Sequence, residues 1–379
     1  MASLSCNQSA TPREASAAYS LQHQHVPEPA NVAPGRAVLL FSPSPAQRAI
    51  SESFDKIPTY LFRLHGPSTV GTATARQVSS PAYDRGMVKG DLFQLAPEDA
   101  AKCLDDHLRW SKEHESRKEC NLMSWSSSLL FLLQYALYRQ NKQPDKIASL
   151  SQMRLLILYT RDFPQGTFIK DLKAIEAFYK HNEGLAGIEN LRVRARGGTY
   201  YFGEYLSQGH LDVSGSCTQI SIQQLVDKGY LYELCPMLCN SDPREWANAV
   251  VKIREAFADR NTAQATDKKG VRTAIAMAQA FFGSPWTVPV AVMLLSLRPR
   301  KPDDKTILDG FSSMFSEQEL ETLNLGSIKF DPESERMPEM KLFEDMVKAI
   351  RSCVQGANVE ATVAVEVLAD SFGELSVGP

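Results

Sequence analysis

The stretch that most constrains this chain is Asn121–Arg139, NLMSWSSSLLFLLQYALYR, where a serine-rich turn runs straight into a helix that is apolar almost all round. A helix of that kind must be buried, because no face of it is suited to water. Leu122–Ser126 reads as a short strand leading into the turn. Serine hydroxyls accept hydrogen bonds from the free N–H groups of a first helical turn, so Ser126 or Ser128 reads as the N-cap of Leu129–Arg139.

The chain has enough apolar material for the core this demands. It has 379 residues, 43% of them hydrophobic, which allows two modest domains or one large domain with extensions. A formal net charge of −3, from 41 basic and 44 acidic residues, gives no basic footprint and argues against nucleic acid as the main partner. The N-terminus lacks a positive region followed by an apolar one, so no secretory signal is expected. The longest apolar run, Val288–Leu297, is far short of the roughly 20 residues that span a bilayer. A soluble intracellular protein, cytoplasmic or nuclear, with no membrane partner is the expectation. Seven cysteines at scattered spacings fit reduced thiols better than a disulfide framework.

Residues 1–45 are rich in Ser, Ala, Pro, Gln and His and are expected to form a disordered tail. Ala46–Lys56 suits a short helix, and Thr59–His65 a strand that Gly66-Pro67 ends. A long loop or irregular strands follow over 68–96, then a helix from Pro97 with Ala101, Leu104 and Leu108 on one face. The charged run Lys112–Glu119 reads as a solvated face, and Asn141–Asp145 as a linker. Met153–Tyr159 fits a central strand, and Asp171–His181 an amphipathic helix. Thr199–Val213 reads as a strand, a turn at Gln208-Gly209 and a return strand, with Gln219–Leu225 beginning another element. Asp242-Pro243 opens a run of helices at Arg244–Arg260, Gly270–Phe282, Thr287–Leu297, Ser316–Leu323 and Pro338–Val354. The organisation expected is a tail over 1–45, an α+β domain over 46–240, a helical extension over 241–357 and an acidic tail over 358–379.

Three short motifs stand in order along the first two thirds: Tyr60-Leu61-Phe62-Arg63, Ser124-Trp125-Ser126, and Gly203-Glu204-Tyr205-Leu206-Ser207. Together they resemble the arginine–serine–glutamate class of ADP-ribosyltransferases, over residues 55–235. The chain as a whole is similar to an uncharacterised fungal domain family with the same Tyr-Leu-Phe-Arg, Ser-Trp-(Ser/Thr)-Ser-Ser and Gly-Glu-Tyr-Leu-Ser signatures, and that resemblance implies no established activity. The transferase resemblance implies a mixed or antiparallel core carrying a helical C-terminal extension. It implies NAD as substrate, with Arg63 on its phosphate or ribose, Ser124 and Ser126 at the nicotinamide ribose, and Glu204 as the catalytic carboxylate. The implied activity is transfer of ADP-ribose to an unknown acceptor, a protein among the possibilities, or hydrolysis of NAD. Phe202 stands where transferases that modify arginine carry Glu or Gln, which argues against an arginine acceptor.

The chemistry of that triplet stands without the family. Breaking the bond to nicotinamide builds positive charge on the ribose, which a carboxylate stabilises more in the transition state than in the ground state. A hydroxyl beside it orients the sugar, and a planar guanidinium suits phosphate oxygens. Blander roles are open for each residue: Arg63 pairing at a sheet edge, the serines as a cap, Glu204 facing solvent. The alternative function class is a non-catalytic interaction module, on a transferase-like or orphan fold, whose C-terminal helices dock a partner. Other constellations are weaker. His210, Cys217, Cys235 and Cys239 lack the second close pair of a zinc site, so no metal is expected. His107 and His114, on a charged helix, read as surface residues, and Arg298-Pro299-Arg300-Lys301 as a solvated loop.

Overall fold

The computed structural model describes residues 38–353 apart from 68, 88, 110–117, 143–148, 195–197, 228–230, 241–244, 259–265, 284, 317–318 and 321–324. Residues 1–37 of the expected tail, the acidic tail 358–379, most of Lys112–Glu119, His114, part of Ser316–Leu323 and the Asp242-Pro243 cap lie outside the described residues. Nine strands are described: β1 Tyr60–His65, β2 Thr72–Ala73, β3 Gln77–Ser79, β4 Leu122–Ser126, β5 Arg154–Tyr159, β6 Ile169–Lys170, β7 Glu204–Gln208, β8 His210–Asp212 and β9 Cys217–Ser221. Six of them form a sheet in the order β6-β7-β4-β1-β5-β9, and β2-β3-β8 form a second, smaller sheet. The paired strands run antiparallel. With the helices that cover them, the class is α+β.

Strand β5 shows why the larger sheet is buried on both faces. Leu155 and Ile157 point into one apolar cluster, Leu156 and Leu158 into another, so the strand reads as a continuous apolar run. The first cluster is covered by helices, the second by the smaller sheet through Ala73, Val78 and Leu211. The longer helices are α1 Pro97–Leu108, α2 Leu129–Lys142, α3 Asp171–Phe178, α4 Trp246–Ala258, α5 Lys268–Phe282, α6 Thr287–Leu295 and α7 Lys305–Met314, followed by α8 over 338–353. Helix α7 went unread in the sequence. Helix α2 buries Leu129, Leu130, Leu132, Leu133, Ala136 and Leu137, each Leu contributing about 1.5–3 kcal/mol. It is not enclosed all round: Phe131, Tyr135 and Tyr138, at i, i+4 and i+7, form a half-buried stripe. The helix buried at every position is α6.

Three expectations change. Residues 38–45, placed in the tail by composition, belong to the packed chain, since Phe41 is buried and its N–H donates to the Gly166 carbonyl at 2.8 Å. Strands β7 and β8 do not return on one another: Gly209, at φ +71°, carries the chain from the larger sheet into the smaller one, where β8 pairs with β3. The helical extension beyond 240 shares one core with the sheet, as Phe62 and Leu130 lie in the same cluster as Val290, Leu294 and Phe343. From Val38 onward the described chain is one compact unit.

Candidate functional site

Adjacency of β7, β4 and β1 brings together residues far apart in sequence. In the β4–β7 register Ser126 lies opposite Glu204 and Ser124 opposite Leu206, so Ser124, Ser126 and Glu204 share one face of the sheet. Among the described residues β1 pairs with β4 only at Phe62 and Ser126. Beyond that point the Arg63 guanidinium bridges the two strands, its Nη1 donating to the Ser124 carbonyl at 2.6 Å. Burial lowers the pKa of Arg63 to about 10, which leaves it charged at neutral pH.

The Glu204 carboxylate accepts from Ser124 Oγ at 2.7 Å on Oε1 and from Arg192 Nη2 at 2.7 Å on Oε2. Arg192 in turn makes an ion pair with Asp171, which is wholly buried at the start of α3. Ser124 Oγ also lies 2.8 Å from His107 Nε2, and His107 Nδ1 lies 3.1 Å from Cys120 Sγ. Burial, opposed by the pull of Glu204 and aided by the charges of Arg63 and Arg192, brings the His107 pKa down to about 4, so the ring is neutral at pH 7. Proton placement follows. A carboxylate only accepts, so the single Ser124 proton goes to Glu204; Ser124 Oγ must then accept from His107 Nε2–H, leaving Nδ1 bare to accept from the Cys120 thiol.

Ser126 has a different occupation. Its buried hydroxyl donates to the Phe202 carbonyl at 2.7 Å and accepts from Ser128 N–H at 3.0 Å, so it shapes the turn and leaves Glu204 to Ser124. Ser128 is the cap, accepting from Phe131 N–H at 3.2 Å and donating to Glu339 Oε1 at 2.7 Å. Ser127 donates to Asp331 Oδ2 at 2.7 Å, and its N–H to the Gly203 carbonyl at 2.8 Å. Gly203 sits at φ +65° with no room for a side chain, because a Cβ there would lie 1.9 Å from Ser127 Oγ. Asp331 and Glu339 both come from the C-terminal part of the chain. Those segments therefore clamp the serine turn from behind, with Arg254 completing the grip on Glu339 at 2.7 Å and on the Tyr201 carbonyl at 2.6 Å.

In front of the turn lies a cleft of about 1080 Å³. Arg63, Ser124, Ser126 and Glu204 all line it, as do His107, Cys103, Cys120 and Arg192. Six Lys or Arg residues against four Asp or Glu give its described lining a positive balance. One wall is aromatic: Phe202 stacks on Phe131 at 4.8 Å and 11°, and Trp246 stands 5.6 Å from Phe202 and 5.6 Å from Tyr135.

All four residues singled out in the sequence thus meet at one cleft, where His107, Arg192, Cys103 and Cys120 join them unforeseen, with Asp171 buried behind Arg192. His107 was misread as a surface residue. It lies three residues after Leu104 and seven after Ala100, both fully buried, so a titratable side chain in the apolar stripe of α1 was the available signal. Nothing in the sequence marked Arg192 or Asp171 as partners of Glu204. His210 stacks on Tyr83 at 4.8 Å, and the Cys235 thiol donates to the Leu297 carbonyl at 3.2 Å. Arg300, expected in a solvated loop, is buried with Nε donating to the Leu295 carbonyl at 2.8 Å. No helix among the described residues is long and apolar enough to cross a membrane. Compared with known protein families, with curated proteins and with solved structures, the chain matches none.

Proposed function

We propose that the cleft binds NAD and that the protein breaks the nicotinamide–ribose bond, passing ADP-ribose to an acceptor or to water. The observation that carries this reading is the Glu204 carboxylate, fixed by Ser124 and Arg192 at the wall of a cleft that Arg63 also lines. Glu204 meets the positive charge that develops on the ribose as the bond opens. Because both carboxylate oxygens are already held, little reorganisation accompanies that charge. The Ser124 oxygen, itself oriented by His107, contacts the ribose hydroxyls, and the cationic lining receives the pyrophosphate. The aromatic wall offers flat, half-buried faces to a planar ring. Phe202, packed between Phe131, Trp246 and Arg254, leaves no carboxylate or amide two residues before Glu204 to hold an arginine acceptor.

Nicotinamide release from NAD by the purified protein, set beside Glu204→Gln, tests the reading. Equal release from the two would sink it. The ion pair of Glu204 with Arg192 favours one second reading, a non-catalytic module in which Glu204 serves only to hold the fold. That reading expects Glu204→Gln to lower thermal stability and expects calorimetry to find no heat of NAD binding; saturable NAD binding that Arg63→Ala weakens would exclude it.

A further inference from the structure

Behind His107, on the side away from Glu204, stand two thiols that the proposed reaction does not use. Cys103 precedes His107 by four residues on α1, so both side chains lie on one face of that helix. Cys120 approaches from the segment that leads into β4, its Sγ 3.1 Å from His107 Nδ1 and beside the Cys103 thiol. Both line the cleft and both are half-buried, so a small solute in the cleft has access to them. Cys120 has a single thiol proton and His107 Nδ1 accepts it, so Cys120 is held protonated and Cys103 is the thiol left to ionise. One thiol is thereby disposed to ionise and its neighbour to remain protonated, a division of labour suited to a reactive and a resolving cysteine.

We propose that Cys103 and Cys120 form a dithiol oxidised by hydroperoxide, and that their disulfide withdraws the thiol proton from His107 and turns the Ser124 hydroxyl away from Glu204. The Cys103 thiolate attacks a peroxide oxygen; the O–O bond breaks, the hydroxide leaves as water with the proton that Cys103 gave up on ionising, and Cys103 becomes a sulfenic acid. Cys120 sulfur then attacks Cys103 sulfur. The S–S bond forms, the S–O bond breaks, and the Cys120 proton passes by way of His107 Nδ1 to the departing hydroxide. Two thiols are oxidised by two electrons and one hydrogen peroxide is reduced to two waters. Afterwards His107 Nδ1 faces no thiol donor. The ring is then free to carry its proton on Nδ1 and accept on Nε2, and the Ser124 proton that Glu204 held turns to Nε2.

The test uses the full chain, treated with limiting hydrogen peroxide and then alkylated. Peptide mapping is expected to find Cys103 linked to Cys120, with the mass lower by two hydrogen atoms, and dithiothreitol is expected to reverse it. In parallel, the ring nitrogens of ¹⁵N-histidine-labelled protein, assigned to His107 by its loss in His107→Gln, are expected to exchange their protonated and bare signals on oxidation. The exchange should be absent in Cys103→Ser, which keeps the Cys120 thiol. Alkylation of both thiols after peroxide would overturn the proposal, and a linked pair with unchanged His107 signals would overturn the coupling. Its effect on turnover rests on the NAD reading: oxidation is expected to slow nicotinamide release about tenfold, the equivalent of one hydrogen bond. Release absent from the reduced protein, with the linked pair and the histidine exchange both present, would sink the NAD reading alone.

Discussion

Glu204 and Glu339 are held by the same kinds of partner and do different work. Each accepts a hydrogen bond of 2.7 Å from a serine of one five-residue stretch, Ser124 for Glu204 and Ser128 for Glu339, and each pairs at 2.7 Å with an arginine, Arg192 or Arg254. Their surroundings separate them. The Glu204 side chain is 18% exposed at the wall of the cleft, whereas Glu339 is 2% exposed between α4 and the serine turn. A charge with access to a cleft can meet a ligand; a charge enclosed on all sides can only be matched by its partners, and removing one of them leaves the other stranded. Identical pairings are thus a site in one place and a brace in the other.

The sharpest way to break the comparison is to remove each carboxylate. Glu339→Ala leaves the Arg254 guanidinium buried and unpaired, and urea denaturation is expected to find about 3–5 kcal/mol of stability lost. Glu204→Gln keeps hydrogen-bonding capacity at a partly exposed position. Nicotinamide release is expected to fall about a hundredfold, roughly 2.7 kcal/mol of transition-state stabilisation, with the denaturation midpoint close to that of the parent. Should Glu339→Ala denature like the parent, the brace is wrong; should Glu204→Gln unfold like Glu339→Ala, the site is.

Acid separates the two regions as well, because only the cleft-side network contains a histidine. The folded pKa of His107, about 4, lies below its ordinary 6.5, so between those values the unfolded chain binds a proton that the native chain does not. Stability is full above pH 6.5 and is lost as pH falls toward 4, by about 2 kcal/mol once the partial exposure of the ring is discounted. His65, also held near 4 with burial as the main cause, adds to the same slope. Calorimetry across that window should give a shallower loss for His107→Gln; an unchanged slope would place the proton elsewhere. The smallest effect is expected at the serines. Ser126→Ala removes two turn hydrogen bonds and should cost about 1 kcal/mol of stability, while Ser124→Ala should cost less stability and more turnover. Stability losses in the reverse order would exchange the roles assigned to the two hydroxyls.

Much of the local structure was legible before any coordinates. Period-2 and period-3.6 patterns marked β1, β5 and most of the longer helices within a few residues, and the resemblance carried by the motifs at Arg63, Ser124 and Glu204 implied a common site. Helix α7 and the crossing at Gly209 escaped. Whether β7 and β8 pair with one another depends on which sheet offers a partner, and the residues between them do not encode that choice. Helix α2 was read as buried all round because Phe131, Tyr135 and Tyr138 count as apolar in any pattern; that they line a cleft depends on Trp246 and Phe202, more than a hundred and about seventy residues further along.

By itself the sequence determined what local sterics and periodicity can determine: the strand, the serine turn and the apolar helix behind it. Only the tertiary structure decided which serine does what. Ser124, Ser126, Ser127 and Ser128 are chemically the same and nearly contiguous. Their hydroxyls diverge because Glu204, Phe202, Asp331 and Glu339 arrive from parts of the chain far from the serines, and a hydroxyl has no role until something is placed to accept its proton.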